Sequence, residues 1–306
     1  MKIVFMGTPE FSVPILKNLI NNYDVILVVT QPDKPVGRKK VLTPPPVKEI
    51  AIQNNIEVFQ PIKLRNEYQK IIDLKPDLIV TAAYGQILPK ELIDNVNSIN
   101  IHASLLPKYR GGAPIQKSLI NLDEETGISI MKMEYKMDSG DVYYQKSLPI
   151  KSCDTTTTLT KKLSILGSEM ILEYLNNPKK YLPVKQDESL VSFAYNIKFD
   201  DQIINWSLGS AKVEAHIRAM QDEPGAITYI NNHILKIYAA KKSDIISKKT
   251  PGSITSLDKQ LLVATGDYDL EILKLQPAGK RVMLTRDFLN GQSLLKVDDI
   301  LGKEVK

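Results

Sequence analysis

The chain is nearly devoid of cysteine, with Cys153 alone among 306 residues. A single thiol closes no intramolecular disulfide, and such usage suits a reducing compartment. Three histidines and one cysteine without a C-x-x-C partner are too few ligands for a zinc site, so no metal is expected. Long hydrophobic runs are missing too. No stretch approaches the roughly 20 apolar residues of a membrane span, and the opening run Ile3 to Met6 is too short for a signal-peptide core. These absences lead to the expectation of a cytoplasmic protein with no membrane partner. Glycine is scarce where a dinucleotide site would need it. The turn Gly7-Thr8-Pro9 offers one glycine where G-x-G-x-x-G requires three, and Pro9 stands at the place of close backbone approach, so NAD is not expected.

What is present reads as ordinary globular protein, with 43% hydrophobic and 25% charged residues. The length predicts two domains. A net charge of +5 and a pI near 8.9 permit a polyanionic partner without requiring one. Lys2 to Met6 is a continuous apolar strand, Val13 to Ile20 has helical spacing, and Val25 to Thr30 is a second strand. Strand, turn, helix and strand make a βαβ unit and hence a parallel sheet. Further strands are expected at Glu57 to Gln60, Asp77 to Ala83 and Ser98 to His102. Helices are expected at about Arg65 to Leu74, Leu88 to Asp94 and Ile115 to Leu122. Ile128 to Met133 alternates and pairs with Val142 to Tyr144, and Thr155 to Leu175 is a long helix with Asp154 as its N-cap. From Asn176 to about Asn205 the pattern fades into polar, proline-containing sequence. Beyond Trp206 come one helix, Ala211 to Ala219, and five short strands between Gly225 and Gln276, the spacing of a small β-barrel or sandwich. The expected fold is α/β, a Rossmann-like parallel-sheet domain over residues 1–188, a linker over 189–205 and a smaller β domain over 206–306.

Two stretches carry chemistry. Thr30 to Lys48 holds five prolines and one glycine, which exclude a regular helix or central strand. Its Lys34, Arg38, Lys39, Lys40 and Lys48 face a single acid, Asp33, so it is either a solvated loop or a basic arm that touches phosphates. The second stretch, Asn97 to Gln116, reads N-S-I-N-I-H-A-S-L-L-P-K-Y-R-G-G-A-P-I-Q. Asn100 and His102 lie two apart on a strand and share a face. A loop broken by Pro107, Gly111 and Gly112 follows them. A carboxamide beside an imidazole suits acyl transfer, which needs an oxyanion donor and a proton carrier. Asn100 fits the first role. His102 fits the second or, when charged, serves as another oxyanion donor. A carboxylate partner is expected from the turn M-D-S-G-D, where Asp138 is preferred and Asp141 is the other candidate. The spacing does not name the acyl donor, and a structural strand-edge histidine remains the competing reading.

The motif N-I-H-A-S-L-L-P-K-Y-R-G-G-A-P-I-Q followed by M-D-S-G-D resembles the formyltransferases that use 10-formyltetrahydrofolate. The likeness runs through M-K-I-V-F-M-G-T-P-E-F, Q-P-D-K-P-V-G-R-K-K, A-A-Y-G-Q-I-L-P and Q-P-A-G-K-R-V-M, and it is nearest to members acting on methionyl-tRNA. The resemblance implies that Asn100, His102 and Asp138 are catalytic. It implies a folate site along Ser104, Leu105, Leu106 and Pro107, with Tyr84, Gly85, Gln86, Ile87 and Leu88 on the pterin side. It makes the basic loop, with Arg38 central beside Lys34, Lys39 and Lys40, a contact to the tRNA acceptor stem. It casts residues 206–306 as an oligonucleotide-binding (OB) type β-barrel. In that region 15 Lys/Arg stand against 12 Asp/Glu, a net of +3, so clustering matters more than total charge. Lys241, Lys242, Lys280 and Arg281 are the candidate RNA contacts there. The implied partners are initiator methionyl-tRNA and 10-formyltetrahydrofolate as co-substrate, with the chain acting as a monomer. The basic loop reads G-R-K-K where many relatives carry G-R-G-K-K, and the linker S-F-A-Y-N-I-K departs from their A-x-K. A formyltransferase acting on a sugar nucleotide or other small amine, and a non-catalytic RNA-binding protein, are the rival readings.

Overall fold

The opening apolar run forms strand β1 (Lys2–Gly7), followed by helix α1 (Val13–Asn22) and strand β2 (Asp24–Val29). The computed structural model describes residues 1–37, 39–291 and 294–302. These divide into two units. The first takes residues 1–114, 125–149 and 160–195, the second residues 115–124, 150–159 and those from 196 on. The last division falls inside the stretch 189–205 expected as a linker.

In the first unit a two-stranded hairpin, β3 (Lys34–Val36) with β4 (Val41–Thr43), occupies the proline-rich stretch. Helix α2 (Pro46–Gln53) and strand β5 (Val58–Phe59) follow. The sequence reading did not expect α2. Three prolines in a row argue against a helix, yet Pro46 opens one, because the first helical residue needs no N–H partner. Val47 and Ala51, one turn apart, then bury the same face. Where one helix was expected from Arg65, two short ones occur, α3 (Leu64–Glu67) and α4 (Gln69–Asp73). Strand β6 (Leu78–Ala82), helix α5 (Lys90–Asn95), strand β7 (Ser98–His102), strands β8 (Glu125–Lys132) and β9 (Val142–Pro149) and most of helix α7 (Thr156–Asn176) complete this unit, whereas helix α6 (Pro114–Ile120), between β7 and β8 in the chain, falls past Pro114 in the second unit.

The sheet has seven strands in the order β5-β2-β1-β6-β7-β8-β9. The first five are parallel, and β8 and β9 close one side antiparallel. Alternate residues supply two buried faces. Val4, Met6, Leu27, Val29 and Ile79 pack with Leu64, Ile71 and Leu92, while Ile3, Phe5, Val28 and Val80 are equally buried between them. Gly167 lets α7 lie close against the other face, since a Cβ there would stand 3.1 Å from Ile101 and 3.5 Å from Ile15. From β1 the chain turns to β2 on one side and later reaches β6 on the other. The loops after β1, β6 and β7 therefore gather at the carboxyl end of the sheet, where open α/β sheets hold their ligands.

The second unit contains helix α8 (Ser210–Met220), strands β10 (Ala226–Ile230), β11 (His233–Ile246), β12 (Ile254–Ser256), β13 (Leu261–Val263), β14 (Tyr268–Pro277) and β15 (Met283–Leu284), and helix α9 (Thr285–Leu289). Its sheet is antiparallel in the order β10-β11-β14-β13-β12, with β15 on β14. Asn231 and Asn232, with φ of 47° and 63°, make the tight hairpin between β10 and β11. Bridges from Tyr229 to Gly302 and from Ser253 to Ile300 tie the two open edges together, giving a small β-barrel. Trp206, Val213, Ile217, Leu235, Leu261 and Ile272 fill it. The segment 150–159 joins this unit through hydrogen bonds from Thr156 Oγ1 to the Ala219 carbonyl (2.7 Å) and from Arg218 Nη1 to the Asp154 carbonyl (2.6 Å). Thr155 and Thr158 exchange reciprocal side-chain to N–H bonds of 3.3 and 2.9 Å, so the cap of α7 is a Thr–Thr box rather than the expected Asp154. Among the described residues no helix is long and apolar enough to cross a membrane.

Candidate active site

Strand β7 pairs with β6 on one side and β8 on the other, which fixes Asn100 and His102 at its carboxyl end. Thr81, directly opposite Asn100 on β6, donates its hydroxyl to Asn100 Oδ1 at 2.9 Å. With its oxygen taken, the carboxamide turns its NH2 toward Asp138, 3.4 Å from Oδ1. His102 is 6% exposed and holds the Tyr109 carbonyl through Nε2 at 2.9 Å. Its Nδ1 lies 3.7 Å from Asp138 Oδ2. One ring nitrogen is thus hydrogen-bonded to a backbone carbonyl and the other faces a carboxylate. Asn100, His102 and Asp138 converge. Of the two acids in the turn, only Asp138 reaches this point; Asp141 offers its carbonyl to the Lys132 N–H at 2.9 Å.

Asp138 stands in the left-handed region, with φ of 45°, and its carboxylate receives the Gly111 N–H at 2.8 Å. Sequence reasoning missed what holds it there. Gln186 donates Nε2 to the carbonyls of Asp138 (2.9 Å) and Gly140 (2.7 Å) and accepts Arg110 Nε at 3.0 Å. Arg110 is fully buried and extends a second bond to Glu188 at 2.8 Å, which lowers the Glu188 pKa. The Arg110 backbone is laddered to Ser192 and Ala194 at 2.9 and 2.8 Å. One arginine therefore staples segment 186–194 to both loops of the site. Arg110 sat inside the motif without distinction, and Gln186 lay in polar sequence with no periodicity. Neither carried a usable signal.

The folate candidates follow β6 and β7. In the second loop Ser129 Oγ donates to the Ser104 carbonyl (2.5 Å) and accepts the Leu106 N–H (3.1 Å), while Gln145 Nε2 reaches the Leu106 carbonyl (2.8 Å). Leu106 joins a small cluster with Met131 and Val142. Leu106 and Pro107 also line a cavity of about 240 Å³ with Tyr143, Tyr144 and Gln186. In the first loop Tyr84 and Leu88 are core residues. Burial pushes the Tyr84 phenol up, and its hydroxyl has no hydrogen-bond partner among the described residues. Gln86 is tied to Pro61 and Leu64, Gly85 has φ of 91°, and Ile87 is exposed.

The basic candidates are scattered. Arg38 lies outside the described residues. Lys34, Lys39 and Lys40 are exposed on the β3–β4 hairpin, whereas Lys48 is held by Asp33 at 2.8 Å. In the second unit Lys241 pairs with Glu271 at 3.0 Å and Lys242 lies 3.6 Å over the Tyr268 ring. As neighbours on β11 these two divide between faces. Lys280 and Arg281 are exposed between β14 and β15.

The chain is similar to known proteins over nearly its whole length. Residues 1–175 match the family model described as formyl transferase, and residues 196–293 match formyl transferase, C-terminal domain. The chain is 46% identical over 310 residues to the methionyl-tRNA formyltransferase of Bacillus subtilis, covering 98% of each. Among solved structures, the methionyl-tRNA formyltransferase from Clostridium thermocellum aligns with a TM-score of 0.59 at 20% identity, over 89% of this chain and 99% of that one. An N-formyltransferase from Helicobacter canadensis, in complex with folinic acid and dTDP-3-aminofucose, aligns with a TM-score of 0.69 at 20% identity, over 90% and 99%. The chain belongs to the formyl transferase family.

Proposed function

We propose that this chain moves the formyl group of 10-formyltetrahydrofolate to the α-amino group of methionyl-tRNA, yielding the formyl-methionyl-tRNA that starts translation. The observation that carries this reading is the convergence of Asn100, His102 and Asp138 at the carboxyl end of β7. The 46% identity to a methionyl-tRNA formyltransferase supports the choice of acceptor. In the reaction the neutral amine forms a C–N bond to the formyl carbon. The bond from that carbon to N10 of the folate then breaks, with one proton lost by the amine and one gained by N10. Asn100 donates its NH2 to the oxyanion that develops between the two steps, an interaction worth roughly 3–4 kcal/mol when well placed. Nε2 of His102 is occupied by Tyr109, so the Nδ1 edge is the one that meets the reacting atoms. Asp138 stabilises positive charge on that ring, and the ring carries the proton between the nitrogens.

In this reading Ser104 to Pro107 and Tyr84 to Leu88 hold the folate. Gly85 and Ile87 present their outer surfaces, while Gln86 and Leu88 support the loop from beneath. Residues 1–188 are the catalytic domain and 206–306 the tRNA-binding one. Lys34, Arg38, Lys39 and Lys40 approach the acceptor stem, with Lys241, Lys242, Lys280 and Arg281 supplying phosphate contacts. The chain works in the cytoplasm as a monomer.

Single-turnover formylation of methionyl-tRNA tests the catalytic trio. Asn100→Ala is expected to lower the rate by about 10²–10³-fold, and His102→Ala and Asp138→Asn by about 10²–10⁴-fold, with unchanged thermal unfolding. A near-wild-type rate in any one removes that residue from the mechanism.

A further inference from the structure

Among the described residues the exposed aromatic side chains are Tyr135, Phe193, Tyr195 and Phe199, which fall in two short segments. Tyr135 belongs to the turn that carries Asp138. The others lie within 193–199. Phe193 and Tyr195 flank Ala194 on extended chain and so share a face. They are 45% and 61% exposed, and their rings lie parallel with centroids 5.5 Å apart. Ala194, pointing the opposite way, is fully buried. Its N–H donates to the Arg110 carbonyl at 2.8 Å, and its own carbonyl accepts the Ala113 N–H at 2.9 Å. The loop paired in this way is the one whose Tyr109 carbonyl holds His102 and whose Gly111 N–H holds Asp138. Lysines occur in the two neighbouring loops of the site. The Lys108 ammonium lies 4.9 Å from the Tyr109 ring centroid, and Lys136 follows Tyr135 in the turn.

We propose that Phe193 and Tyr195 form a stacking platform for the unpaired nucleotides at the 3′ end of the acceptor tRNA. This rests on the reading that the acceptor is an aminoacyl-tRNA. The amine to be formylated hangs from the terminal nucleotide, so bringing it to Asn100 and His102 lays the single strand beside the catalytic loop. Exposed aromatic rings that bases can stack on are the chemistry that binds single-stranded nucleic acid without reading its sequence, because every base has a π-face. A sugar nucleotide or other small amine has no trailing bases to place there.

The platform is tested with F193A/Y195A and with F193L/Y195L, which keeps apolar bulk. Both are expected to raise KM for methionyl-tRNA about 5- to 150-fold, the equivalent of one stacked base at about 1–3 kcal/mol. KM for 10-formyltetrahydrofolate and the unfolding temperature are expected to stay near wild type. A second readout does not need turnover: in Phe193→Trp, a short single-stranded C-C-A oligonucleotide quenches the new fluorescence, and Tyr195→Ala weakens that quenching. An unchanged KM for methionyl-tRNA, a rise in KM for folate instead, or no quenching overturns the proposal. If the wild-type chain formylates no methionyl-tRNA, the functional reading falls and the quenching result decides the platform alone.

Discussion

Gln186→Ala probes the least conspicuous part of the site. The side chain is 8% exposed and joins three groups: the carbonyls of Asp138 and Gly140 and the Nε–H of Arg110. Alanine leaves all three without that partner. A buried unsatisfied polar group costs about 1–3 kcal/mol. Taking the low end for each of the three gives a total of about 3 kcal/mol. At 2–4 °C per kcal/mol for a domain of this size, unfolding moves down by about 6–12 °C. The kinetic consequence is separate. Asp138 loses the bonds that hold its backbone in the left-handed region, and a misplacement near 1 Å costs about 10²-fold in rate. Well below the transition, kcat is therefore expected to fall about 10- to 100-fold while both KM values stay close to wild type. Gln186→Glu separates the two effects. It keeps an acceptor for Arg110 but no donor for the carbonyls, so kcat falls as in the alanine variant with a smaller loss of stability. If kcat stays within about twofold of wild type while the unfolding temperature drops as calculated, Asp138 does not depend on Gln186 and the positioning argument fails.

Gly111→Ala places a Cβ 2.5 Å from the Ala194 carbonyl oxygen at a φ of 128°. The nearest atoms, from Ala194 and Tyr195, are all backbone and cannot yield. Thermal unfolding is expected to register a loss of at least about 2 kcal/mol, and turnover to fall because the N–H that holds Asp138 shifts; wild-type values for both would contradict the tight pairing of these segments. In the second unit, burial pushes the His216 ring below its ordinary 6.5, so the unfolded chain takes up that proton first as pH drops. The stability this provides is complete above 6.5 and is lost as pH falls through the folded value. His216→Gln is expected to flatten the decline of unfolding temperature between about pH 7 and 5; an equally steep decline assigns it to other groups.

The sheet was legible wherever burial imposed a pattern. The apolar runs of β1, β2 and β6 appear within a residue of their expected places, and β8 begins three residues before its expected start at Ile128. Asn100 and His102 were legible because a period of two puts them on one face, and Asp138 because its turn joins two strands that must pair. Helix α2 was hidden by a rule that is valid inside helices and not at their first residue. Arg110 and Gln186 were hidden for another reason. They meet across 76 positions through polar bonds between irregular segments, and such contacts leave no periodic trace. The same holds for residues 150–159, whose place in the second unit depends on Thr156 and Arg218 finding distant carbonyls.

The central claim is that the convergence of Asn100, His102 and Asp138 serves formyl transfer to methionyl-tRNA. Incubation of the chain with 10-formyltetrahydrofolate and methionyl-tRNA, alongside free methionine and an amino-sugar nucleotide, tests it most directly. The account predicts formyl-methionyl-tRNA as the product, with kcat/KM exceeding that for either small amine by on the order of 10²-fold or more, since remote contacts to the tRNA lower the barrier. No transfer to methionyl-tRNA, or a higher kcat/KM for a small amine, contradicts it.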